Sequence, residues 1–171
     1  NDIALGDMDN DGDLDVAVAN TDDGVVIYEN NDGVLQTIDD NPLILGSDDP
    51  STSVAWGDVN GDGYLDLVVG NQSAPDYVYG NNNGVLSRIP VWTSPDSSAT
   101  KDIMLGDLDN DGDLDIVAGT GNIDIHWNNG MSGGNLQTSK TTPITSTQVA
   151  WLNRLDLADM DGDGWLDLAV A

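Results

Sequence analysis

The chain has no cysteine and no phenylalanine, one histidine (His126), one glutamate (Glu29), and only 4 basic residues against 31 acidic ones in 171. Without cysteine there are no disulfides, no thiolate metal ligands and no thiol nucleophile. Four Lys and Arg cannot build a cationic groove, and a formal charge of -27 repels phosphates and anionic lipid, so nucleic acid and membrane surfaces are set aside as partners. No apolar run approaches the roughly 18 residues of a membrane span, and no signal peptide is visible, so no membrane insertion is expected. The first residue is Asn1 rather than Met, so the chain is expected to be a processed or excised piece. A single histidine, flanked by Ile125 and Trp127, offers one base and no signature around it, which argues against Cys-His or Ser-His-Asp catalysis. No catalytic residue is assigned. A glycosidase-type carboxylate pair is the alternative, set against an aspartate pool mostly committed to turns.

What the chain has in abundance is aspartate, and it is patterned. Asp-x-Asp/Asn-x-Asp-Gly-x-x-Asp begins at Asp7, Asp58, Asp107 and Asp159. Seventeen of the 31 acidic residues fall inside these four loops. A hard divalent cation takes six to eight oxygens at about 2.3–2.6 Å, and short carboxylates at alternate positions of a tight turn supply several from one segment. The candidate ligands are Asp7, Asp9, Asp11 and Asp15 with the Asp13 carbonyl; Asp58, Asn60, Asp62 and Asp66 with the Tyr64 carbonyl; Asp107, Asp109, Asp111 and Asp115 with the Asp113 carbonyl; and Asp159, Asp161, Asp163 and Asp167 with the Trp165 carbonyl. Two carboxylates about 4 Å apart repel by roughly 4 kcal/mol at an effective dielectric near 20. Four copies of that repulsion imply a cation, and calcium suits the sites better than magnesium, which rarely occupies dedicated all-protein cages. Four calcium ions would bring the formal charge from -27 to -19.

An EF-hand needs glutamate at the twelfth position and flanking helices. Here that position holds Val18, Val69, Ala118 and Val170. The loops are instead bounded by short apolar runs such as Ile3-Ala4-Leu5-Gly6 and Leu14-Asp15-Val16-Ala17-Val18, which read as strands, so each loop joins a hairpin. Third strands follow at Val25–Tyr28, Tyr77–Tyr79 and Ile123–Trp127, each leading into an Asn/Gly turn, and fourth strands are expected near Leu35, Leu86 and Leu136. Four strands at a period near 50 residues describe propeller blades. One repeat domain over 1–171 is expected, with blades at about 1–50, 51–99 and 100–147, a half blade at 148–171, and connections in the Ser/Thr/Pro-containing stretches 46–53, 93–100 and 138–148.

These features, Gly-Asp-x-Asp/Asn-x-Asp-Gly-x-x-Asp with the following Leu-Asp-hydrophobic strand and the Asn-Asn-x-Gly turn, resemble the FG-GAP or VCBS repeats of integrin alpha-chain propellers and many bacterial secreted proteins. The resemblance spans the chain, with one departure, Ala158 in place of the glycine before the fourth loop. It implies an all-β propeller of four-stranded antiparallel blades with calcium bound in the hairpin loops. Three and a half blades are about half such a ring. The expectation is therefore a partial propeller, as a segment of a longer protein, a smaller ring, or a homo-dimer joined through open edges.

The function expected is a calcium-stabilised extracellular binding or adhesion scaffold, because extracellular sites bind calcium at about 10⁻⁴–10⁻³ M. The partner is a protein or a glycan. The alternatives are a lectin-like propeller and part of a secreted polysaccharide-degrading enzyme. Trp56 and most tryptophans read as core, Trp92 and Trp151 as surface candidates, and Asn71-Gln72-Ser73 matches a glycosylation acceptor.

Overall fold

A computed structural model describes residues 2–37, 43–46, 49–97, 99–144 and 153–171. Its strands are β1 (Asp2–Gly6), β2 (Asp15–Asn20), β3 (Gly24–Asn31), β4 (Val34–Thr37), β5 (Leu43–Leu45), β6 (Ser51–Gly57), β7 (Asp66–Asn71), β8 (Tyr77–Tyr79), β9 (Asn81–Asn82), β10 (Val85–Leu86), β11 (Trp92–Thr93), β12 (Asp102–Gly106), β13 (Asp115–Gly119), β14 (Ile123–Ser132), β15 (Asn135–Ile144), β16 (Leu155–Ala158) and β17 (Asp167–Val170). No helix occurs among the described residues. All pairing is antiparallel, in sheets ordered β1-β2-β3-β4 with β5 beside β3, then β11-β8-β7-β6, β12-β13-β14-β15 and the hairpin β16-β17. The molecule is an open, partial propeller of four consecutive blades, the last present as one hairpin.

The register of every opening hairpin is the same. Gly6 pairs with Asp15, Gly57 with Asp66, Gly106 with Asp115 and Ala158 with Asp167, each closing a nine-residue acidic loop. Because side chains alternate across a strand, one face of each first strand carries large apolar residues, and in the first two blades the other carries small ones, Ala4 with Gly6 and Ala55 with Gly57. Packing follows from that asymmetry. A Cβ added to Gly6 would lie 2.8 Å from Trp56 Cγ and 2.9 Å from Leu65 Cδ1; one on Gly57 would lie 2.5 Å from Leu105 Cδ1; one on Gly106 would lie 2.8 Å from Leu166 Cδ1. Each glycine is thus a notch that receives the next blade's first-strand side chain and post-loop leucine. Three cores result, one per junction, centred on Ile27, Leu67 and Tyr79, on Ile103, Ile116 and Trp92, and on Val117, Ile123 and Leu155.

The fourth strands depart from the sequence reading. In the second blade Leu86 belongs to the small β9–β10 ribbon, and the strand that pairs with β8 is Trp92–Thr93. Arg88 to Pro90 intervene because Pro90 cannot donate a ladder hydrogen bond. In the third blade the stretch expected as a connection from 138 is strand to Ile144, because β14 and β15 form one long bulged ribbon. Trp92, expected at the surface, is 8% exposed, stands edge-on to His126 with ring centroids 5.0 Å apart, and donates to Thr138 Oγ1 at 3.0 Å. Trp56 packs into the first core as expected, and Trp151 lies outside the described residues.

Candidate metal centres

Each loop is wound by its own aspartates. The first-position carboxylate accepts the fifth-position N–H on one oxygen and the sixth-position glycine N–H on the other: Asp7 from Asp11 (3.1 Å) and Gly12 (3.0 Å), Asp58 from Asp62 (3.0 Å) and Gly63 (2.8 Å), Asp107 from Asp111 and Gly112 (both 3.0 Å), Asp159 from Asp163 (3.1 Å) and Gly164 (3.0 Å). The glycine is required, since its φ lies between 90° and 98° in all four loops, where a side chain is strained. The fifth-position carboxylate accepts the N–H two residues on, at Asp13, Tyr64, Asp113 and Trp165. That pins the segment carrying the proposed carbonyl ligands.

The ninth-position aspartate ties the loop to the blade. Asp15, Asp66 and Asp115 are buried; one oxygen accepts the second-position N–H (Met8 2.7 Å, Val59 3.0 Å, Leu108 2.9 Å) and the other the N–H of an asparagine in or just after the third strand (Asn30 2.8 Å in β3, Asn81 2.7 Å after β8, Asn128 2.8 Å in β14). Burial raises all three carboxyls above their ordinary value, Asp66 to about 6, against the opposing pull of these N–H donors. A neighbouring cation favours the ionised form of such a group.

Asn81 and Asn128 do more. Their side-chain amides reach the preceding blade's loop, donating to Met8 O at 2.7 Å and Val59 O at 2.8 Å. The second contact between neighbouring loops comes from the fourth position, where Asn10 donates to Gly63 O (3.1 Å) and Asn110 to Gly164 O (3.4 Å), while Gly61 and Gly162 have no side chain to reach with. Neither clamp was read from the sequence. The recurrence of an asparagine one or two residues after each third-strand aromatic was the available signal.

Carboxylate oxygens converge to within 4.8 Å of one another in three loops, from Asp7, Asp9 and Asp15, from Asp107, Asp109 and Asp115, and from Asp159, Asp161 and Asp167. The donor set, hard oxygens only, fits calcium and magnesium. The second loop differs. Asn60 stands at its third position and donates from Nδ2 to Asp66 Oδ1 at 3.1 Å while its Oδ1 accepts the Asp62 N–H at 2.9 Å. It therefore brings one negative charge fewer.

A family model for the FG-GAP-like repeat matches residues 7–69, 58–118 and 116–170; the first two matches each run from one acidic loop through the next, and the third runs from the strand after the third loop through the fourth. The chain belongs to the FG-GAP-like repeat family. None of the curated proteins compared with it matches significantly. FG-GAP-like repeats are generally extracellular binding or adhesion repeats, and their acidic loops are the feature this chain repeats four times.

Elsewhere, the junction of the second and third blades buries a polar group of a different kind. Asp76 accepts from Asn71 N–H (2.9 Å) and the Thr100 hydroxyl (2.9 Å), and Lys140 pairs with Asp124 at 3.0 Å and with Asp96. Burial pushes Asp76 up to about 6 and His126 down to about 4. His126 is 2% exposed, a packed residue rather than an open base, and its Nδ1 has no hydrogen-bond partner.

Proposed function

We propose that this chain is a calcium-riveted propeller segment acting as an extracellular binding or adhesion scaffold, with the ions structural and no catalytic role. The observation that carries the reading is the double duty of Asp15 and Asp115, which belong to acidic clusters and also join loop to third strand. Calcium would be held by the carboxylates at positions one, three, five and nine with the seventh carbonyl, Asn60 replacing a carboxylate in the second loop. The ion supplies positive charge where crowded aspartates repel, and binding to the folded form alone adds stability by mass action. Affinities of about 10⁻⁴–10⁻³ M suit the calcium concentrations outside cells. Calorimetric titration of the calcium-free protein tests this: saturable binding with a rise in thermal midpoint is expected, and equal midpoints in calcium and in chelator would overturn it.

A glycan partner is the second reading. A shallow cleft of about 410 Å³ between the first two blades is lined by Tyr77, Tyr79, Asp49 and Arg88, with the Tyr77 hydroxyl donating to Asp49 at 3.0 Å. An aromatic face beside an acceptor carboxylate and a guanidinium suits a sugar ring. A glycan array separates it from protein adhesion, with loss on Tyr77→Ala expected for the glycan reading.

A further inference from the structure

Three of the four acidic loops are strung on one buried line of hydrogen bonds. Asp15 of the first loop accepts the Met8 N–H at 2.7 Å, the Met8 carbonyl accepts the Asn81 side-chain amide at 2.7 Å, and the Asn81 backbone N–H donates to Asp66 of the second loop at 2.7 Å. The line continues from Asp66 through the Val59 N–H at 3.0 Å, then from the Val59 carbonyl to the Asn128 side-chain amide at 2.8 Å, and ends where the Asn128 backbone N–H reaches Asp115 of the third loop at 2.8 Å. All seven residues are buried. Each asparagine holds the ninth-position aspartate of its own blade with its backbone and the second-position carbonyl of the preceding loop with its side chain. A ninth-position carboxylate in one loop therefore cannot shift without disturbing its counterpart in the next.

The middle loop has the most to gain from its neighbours. It holds three aspartates against five in the first and five in the third. Its Asp66 also accepts from four N–H groups, those of the Val59, Asn60 and Asn81 backbone and of the Asn60 side chain. A loop crowded with aspartates has two states, wound around its ion or pushed open by its own charges, and the ion selects the first. Winding the first or the third loop fixes its end of the hydrogen-bonded line, and Asn81 or Asn128 carries that order to Asp66, so an ion entering the second loop has less backbone left to order. Charge acts the other way, but weakly. Five carboxylates and one dication leave a filled first or third loop at a net charge of -3, still attractive to a cation, and the outer loop positions are exposed, where salt screens charge over about 8 Å.

We propose that the first three loops bind calcium cooperatively, with ions in the first and third loops tightening the second through Asn81 and Asn128. By linkage, an ion in the second loop tightens both neighbours by the same factor. This deepens the calcium reading above and rests on it. The second loop then fills because its neighbours hold it in shape, which offsets its smaller charge.

Nitrogen–proton correlation spectra of the full chain, titrated with calcium from the calcium-free state, test the proposal. The sixth-position amides of Gly12, Gly63 and Gly112 donate to the first-position aspartates, so each reports one loop. Asp109→Ala, at an exposed position, should empty the third loop over the titrated range, as read at Gly112, and move the Gly63 midpoint to about fivefold higher calcium. In an Asn128→Ala background, Asp109→Ala should leave the Gly63 midpoint where it stands. Asn60→Asp, which removes no bond of the line, should tighten Gly63 and with it Gly12 and Gly112; this variant decides the matter if Asn128→Ala does not fold. A Gly63 midpoint that stays put or tightens when the third loop is emptied overturns the proposal. So do Gly12 and Gly112 midpoints that ignore Asn60→Asp, and so does a coupling that survives Asn128→Ala undiminished. Unlinked midpoints leave the calcium reading standing, whereas no saturable shift at any of these glycines would overturn that reading and the cooperativity with it.

Discussion

Two regions of this molecule bury carboxylates, and they neutralise them differently. At the loop end, Asp15, Asp66 and Asp115 sit beneath other aspartates with only backbone and asparagine N–H groups to accept from, and any full positive charge must come from solution. At the junction of the second and third blades, Asp76 and Asp124 lie near Lys140, a cation the chain itself supplies. On the calcium reading proposed above, the first arrangement would make stability conditional on a dissolved ion. The second does not.

Calcium removal should break the comparison most widely. Each site saturated about 100-fold above its dissociation constant contributes about 2.7 kcal/mol, so chelation should lower the thermal midpoint far more than any single substitution. The second loop, with Asn60, should be the first to empty; Asn60→Asp should raise affinity there, read by calorimetric titration. Lys140→Met comes next. It leaves Asp124 buried beside no ammonium, and should cost about 2 kcal/mol by urea denaturation, less than a fully buried pair because Lys140 is a quarter exposed. That loss should be equal with and without calcium. Gly6→Ala is smaller, about 1.5 kcal/mol, since its Cβ meets the rigid Trp56 ring, and Gly106→Ala smaller still, since it meets only leucine methyls that can rotate away.

The pH response should be the subtlest effect. Asp66 and Asp76 have folded values raised to about 6, so between about 4 and 6 the folded state holds more protons than the unfolded chain, and stability increases as pH falls through that window. His126 has its folded value lowered to about 4, so the unfolded chain takes up a proton first and stability is lost as pH falls from 6.5 toward 4. In calcium, where the loop carboxylates are held ionised, Asp76 and His126 should nearly offset. In calcium-free buffer the loop aspartates should tip the balance toward greater stability on acidification. Urea midpoints at several pH values, in both buffers and with His126→Gln, check the signs; His126→Gln should gain stability on acidification in either buffer.

The opening hairpins were legible because loop, glycine and strand are all local, and each unit repeats the others. The acidic clusters of three loops were legible for the same reason, down to the ninth-position aspartates. What escaped is what depends on the neighbouring blade. Leu86 reads as a fourth strand by its alternation, yet Pro90 diverts the chain and β8 pairs with Trp92 instead. Trp92 looks peripheral in sequence because its cover, His126 and Thr138, comes from the next blade. The asparagine clamps were equally hidden, since their acceptors lie 73 and 69 residues away.

The alternation at the fourth loop position has a mechanical consequence. Asn10 and Asn110 lash the first loop to the second and the third to the fourth, but Gly61 leaves the second and third joined at this level by the Asn128 clamp alone. Only the first seam is doubly lashed, by Asn10 and Asn81, since the third and fourth loops are joined, among the described residues, by Asn110 alone; pulled from its two ends, the stack should part at the two later, singly lashed seams while the first two loops stay together.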